Sequence, residues 1–94
     1  MAWNWCTAAR VITKRPCILK TIIMTPSAAN AECKIYDGES DKDPPIGEIY
    51  SSTQITRGYE MNGGIETRRG LYVGGFTNVT GVLVIWEPIG EGKA

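Results

Sequence analysis

The sequence predicts an all-β fold, a small antiparallel β-sandwich of jelly-roll-like type with about seven or eight short strands. Three observations point there. Eleven glycines and five prolines cut the chain into segments too short for a convincing helix. The segments between them are β-branched and apolar, or alternate with a period of two. They recur at a spacing of roughly 8–12 residues, the spacing of sandwiches and small barrels. An α+β fold would need a helix, and none can be found. Ninety-four residues suit one domain. A chain this short buries only roughly 60–70% of the surface its unfolded form exposes, so its core is thin.

Residues 1–6 read as an N-terminal arm, because Trp3 and Trp5 precede the first plausible strand. The sandwich is expected over residues 7–88 and a frayed tail over 89–94. Thr7 to Lys14 is rich in small and β-branched residues and is interrupted by Arg15-Pro16. Cys17 to Thr25 is β-branched and apolar, with Lys20 inside it, as in a central strand. Pro26 to Asn30 reads as a loop. Ala31 to Tyr36 alternates, with Ala31, Cys33 and Ile35 on one face and Glu32, Lys34 and Tyr36 on the other. Asp37 to Pro45 is the most polar stretch and must be a loop, since paired prolines cannot donate to a ladder. Gly47 to Tyr50 and Thr53 to Thr56 are expected as short strands. Arg57-Gly58 and Asn62-Gly63-Gly64 suit tight turns. Gly70 to Thr77 and Gly81 to Glu87, joined through Asn78-Val79-Thr80, form the best hairpin candidate. The expected core is Leu19, Ile23, Ile35, Leu71, Val73, Leu83 and Ile85.

Composition narrows the function. Ten Lys and Arg balance ten Asp and Glu, so the formal net charge is zero. That argues against nucleic-acid binding, which needs a cationic surplus to neutralise phosphates, and against attraction to anionic membranes. No apolar run reaches the roughly 18 residues of a membrane helix, and no signal-peptide pattern stands at the N-terminus. Intracellular synthesis is expected. There is no histidine, which removes the commonest general base and every Ser-His or Cys-His arrangement. Carboxylate, Tyr or Cys chemistry is all that an enzyme could use, and no catalytic, cofactor-binding or metal-binding residue is expected. Cys6, Cys17 and Cys33 have no paired ligand spacing and read as buried, reduced thiols.

Four features are candidate sites. Asp37, Glu39, Asp41, Asp43 and Glu48 have the spacing of a calcium-binding loop. However, Lys42 replaces the glycine of the sharp turn, and strands rather than helices flank it, so a solvated loop is the better reading. Trp3 and Trp5 either tuck over the chain's own core or pack against a partner. Arg68-Arg69, at an expected turn, could grip a phosphate or carboxylate, or simply be solvated. Asn78-Val79-Thr80 matches the glycosylation sequon but also suits a plain turn. Trp3, Trp5, Arg68 and Arg69 are therefore the candidate partner-binding residues.

The order of segments carries a resemblance. The start has the form R-V-I-T-K-x-P-C-I-L from Arg10 to Leu19; Ile35-Tyr36-Asp37-Gly38 follows, then Gly70-Leu71-Tyr72-Val73 and a closing Val82-Leu83-Val84-Ile85-Trp86. Over Val11 to Glu87 this resembles small all-β, histidine-poor proteins encoded among the virion genes of tailed bacteriophages. The resemblance implies a non-enzymatic structural subunit that decorates or stabilises the capsid, or anchors a head fibre. Its implied partners are its own copies, as a trimer, and the major capsid protein or another virion protein. The motifs mark strand ends and turns and carry no catalytic residues. A tail or neck accessory subunit is one alternative. A carbohydrate- or ligand-binding module is another; it would need Trp3, Trp5, Tyr50, Tyr59 or Tyr72 clustered on one exposed surface.

Overall fold

The computed structural model describes Ala2 to Ile89. Its eight strands are β1 (Ala2–Cys6), β2 (Arg10–Thr13), β3 (Cys17–Pro26), β4 (Ala31–Tyr36), β5 (Pro45–Ser51), β6 (Arg57–Glu66), β7 (Leu71–Thr77) and β8 (Val79–Pro88). They form two antiparallel four-stranded sheets, in the orders β1-β8-β3-β6 and β2-β7-β4-β5. Successive strands change sheet at every connection except the β4–β5 hairpin, which is the jelly-roll order of two nested Greek keys. Both sheets turn one face inward, and Cys6, Leu19, Ile22, Met24, Cys33, Ile35, Leu71, Val73, Val82 and Val84 are buried between them.

The alternation of β4 lies as the sequence predicts, with Ala31, Cys33 and Ile35 buried and Glu32, Lys34 and Tyr36 outside. In β3 it is interrupted. Lys20 has no counterpart on β8, because Leu19 faces Trp86 and Thr21 already faces Ile85. The extra residue is a β-bulge, and it reverses the parity of the strand. Cys17 and Leu19 point inward before it, Ile22 and Met24 after it. On the other side of Lys20, β6 bulges further: Ile65 pairs with Leu19 and Glu60 with Thr21, so residues 61–64 lie between two adjacent rungs. Gly63 and Gly64 make this possible, with φ of 84° and 85°. A side chain at Gly64 would also run into Ile18.

Several expectations are corrected by this topology. Residues 2–6 are an edge strand of the first sheet, since every residue of β1 pairs with β8, from Ala2 opposite Trp86 to Cys6 opposite Val82. The sandwich therefore begins at Ala2. Ile23, Leu83 and Ile85, expected in the core, lie on the outer face of that sheet, and Ile22, Val82 and Val84 hold the inner positions. β7 and β8 are not a hairpin: Asn78, at φ 55°, passes the chain from one sheet to the other. Asn62-Gly63-Gly64 lies inside a strand, and Thr53 to Thr56 forms none. The tail, residues 90–94, lies outside the described residues.

The end of the sandwich near Cys17 is closed by a buried polar clasp. Thr67 is 1% exposed. Its backbone N–H donates to the Cys17 carbonyl at 2.8 Å, and its hydroxyl oxygen accepts from the Cys17 N–H at 3.0 Å. This ties the residue after β6 to the first residue of β3 across fifty positions of sequence.

Candidate interaction surface

Alternation along β1 sends Asn4 and Cys6 inward and Trp3 and Trp5 outward. Cys6 is buried beside Val82. Asn4 is held at the core edge by Trp86, whose indole N–H donates to Asn4 Oδ1 at 2.7 Å. The two outward tryptophans are 68% and 44% exposed. Register places Trp3 opposite Ile85 and Trp5 opposite Leu83, with Ile23 of β3 on the far side of Leu83. Ala2, Trp3, Leu83 and Ile85 line an open apolar hollow of about 450 Å³. The Trp5 ring lies over Gly81, where any Cβ would collide with it. Polar residues border the patch, with Thr21 between Ile85 and Glu60, Thr25 opposite Gly81 and Glu87 opposite Ile18.

The outer face of the second sheet has a different character. Lys34 lies opposite Glu48, and Glu32 opposite Tyr50. Tyr36 lies opposite Tyr72, their rings tilted at 52° with centroids 5.9 Å apart. The Tyr50 hydroxyl donates to Asn30 Oδ1 at 2.8 Å. That face carries charges and hydroxyls suited to water, whereas the first sheet exposes indoles and aliphatic side chains.

Arg68 and Arg69 sit in the turn between β6 and β7. Their backbone N–H groups donate to the Asp37 carboxylate, Arg68 at 3.0 and 3.1 Å and Arg69 at 2.8 Å. The Arg69 guanidinium reaches Asp43 at 3.5 Å, an exposed pair of small worth. The arginines' contacts are thus with the acidic loop, not with the tryptophans. Asp43 also fastens that loop, its Oδ2 accepting from the N–H groups of Glu39 at 2.7 Å and Ser40 at 3.2 Å. The Glu39 hydrogen bond, helped by those of Ser40 and Arg69, holds the Asp43 carboxyl below the usual carboxylate range. That contribution is present above about pH 4 and is lost as pH falls through the lowered value. Asp37 and Asp43 are thereby engaged by the chain's own donors, and among the described residues no three acidic or thiol groups gather as a metal set would.

The Asn78 amide donates to the carbonyls of Ala29 at 3.0 Å and Asn30 at 3.3 Å, so the sequon asparagine braces the β7–β8 turn. Cys6, Cys17 and Cys33 are buried and unbridged. Burial pushes all three thiols up, Cys33 to about 12, which disfavours the reactive thiolate form. The aromatics that a sugar-binding module would gather are dispersed: Trp3 and Trp5 lie on one outer face and Tyr50 and Tyr72 on the other, while Tyr59 lines the gap between β5 and β6. The members of the apolar surface that sequence reasoning missed are Leu83, Ile85 and Ile23. No protein-family model, curated protein or solved structure matches this chain.

Proposed function

We propose that the protein is a non-enzymatic structural subunit of a phage virion, made in the host cytoplasm, which decorates or stabilises the capsid or anchors a head fibre through protein–protein contacts. The observation that carries this reading is the contrast between the two outer faces. A solvated face has no need of two exposed indoles beside Leu83, Ile85 and Ile23, and contiguous apolar surface of this kind marks interaction sites. Indoles are favoured anchors there because each excludes much water at little rotamer cost. Assembly on a shell adds the apolar burial that a 94-residue domain lacks by itself. The jelly-roll order is used by viral capsid domains and also by lectins and cupins, so it supports the reading by analogy only.

The test is incorporation. Mass spectrometry of purified particles, produced by the genome that encodes this chain, should detect the protein in amounts comparable to other structural subunits. A Trp3→Ser/Trp5→Ser variant with unchanged circular dichroism should be depleted at least about tenfold, as expected when two anchor side chains are lost. Wild-type protein found only in the host-cell fraction would overturn the reading.

A further inference from the structure

A sandwich has four edge strands, and each presents unpaired backbone groups to any other strand that meets it. Here three are guarded. β2 is interrupted by a register shift between Val11 and Thr13 and carries Arg10. β5 begins with Pro45 and carries Glu48. β6 carries Arg57, Glu60 and Glu66 and is broken by its four-residue bulge. β1, Ala-Trp-Asn-Trp-Cys, has no charge, no proline, no glycine and no break in its register. The unguarded edge also bears the two exposed indoles.

We propose that β1 pairs antiparallel with β1 of a second copy of this chain, about a two-fold axis at Asn4, so that two four-stranded sheets join into one of eight strands. Full overlap of Ala2–Cys6 with itself sets Trp3 of each copy opposite Trp5 of the other. All four indoles then stand on one outer face in two cross-strand pairs, while each Asn4 stays inward on Trp86. Such an isologous contact closes as a dimer rather than the trimer that the resemblance implies. Zero formal net charge and an uncharged strand leave no repulsion to oppose it. Its size is limited. The exposed parts of four indoles offer on the order of 500 Å², below the roughly 1,200 Å² at which standard interfaces begin, so the pair is reversible and concentration-dependent. The inference stands apart from the virion reading: pairing can occur in dilute solution whether or not particles contain the protein, and incorporation can occur without pairing.

Analytical ultracentrifugation across micromolar to millimolar protein tests it. Wild type should move from 10.3 kDa to twice that mass. Trp3→Lys/Trp5→Lys sets lysine against lysine in both pairs and should weaken the dimer at least about tenfold with the circular dichroism unchanged. Mixing it with Trp3→Glu/Trp5→Glu should restore the doubled mass, and Ile23→Thr, out on the sheet face, should leave the dimer intact. Register is read separately by disulfide trapping, which leaves one of the two β1 tryptophans in each chain. Trp3→Cys mixed with Trp5→Cys should cross-link, and either alone should not. A wild-type chain monomeric at every concentration would overturn the proposal. So would charge-swapped variants that fail to complement, or an Ile23→Thr variant that dissociates as fully as the lysine pair, since the last would mean that the sheets stack face to face.

Discussion

Replacing Ile22 by alanine is expected to cost roughly 2–5 kcal/mol, a large share of the stability of so small a domain, whereas the same change at Ile23 should cost about 1 kcal/mol or less. The neighbours differ only in which side of the sheet they face. Ile22 is fully buried between the sheets, and its truncation leaves a cavity that the close-packed core cannot refill. Ile23 lies on the outer face beside Leu83 and loses only partial cover. Chemical-denaturation curves of the two variants give the comparison directly. Equal losses, or a larger loss at Ile23, would mean that the bulge at Lys20 is absent and that the strand keeps its parity throughout.

Thr67→Val should be the second most damaging conservative change, at roughly 1–3 kcal/mol. Valine matches threonine in shape, so packing is preserved and only the hydroxyl is lost. That hydroxyl oxygen accepts the Cys17 N–H at 3.0 Å in a place where Thr67 is 1% exposed. Without it a buried donor has no partner, which costs more than the hydrogen bond itself contributes. Thr67→Ser keeps the oxygen and should recover most of the loss. Thermal melts of the pair separate the two terms; a valine variant as stable as wild type would show that water reaches the Cys17 N–H.

How far the sequence could be read depended on whether one local signal governed a strand. It did in β4, where charged and apolar residues alternate and only one face can enter a core: Cys33 and Ile35 lie where that pattern puts them. In β3 and β8 both faces are apolar, so the pattern cannot say which is inner. A single unpaired residue, Lys20, then decides it. That is why Ile23, Leu83 and Ile85 were expected inside, and why the apolar outer face was not foreseen as a surface. The β7–β8 connection looks like a hairpin because turn residues report a reversal of direction, not a change of sheet. β1 did carry a readable signal, since Ala-Trp-Asn-Trp-Cys alternates with a period of two. It alternates with the large side chains outward, against the rule that large aromatics go in. The sequence allows Trp3 and Trp5 to be exposed, but it does not show that Leu83, Ile85 and Ile23 surround them.

On the reading proposed above, the first sheet's outer face, with β1 at its edge, meets other molecules, while the second sheet's outer face stays in water. Oxidative footprinting of the assembled protein against the dilute monomer compares the two faces within one experiment. Trp3 and Trp5 should become protected on assembly, with Tyr36, Tyr50 and Tyr72 unchanged as internal controls. Protection of the tyrosines, with Trp3 and Trp5 as reactive as in the monomer, would contradict the account.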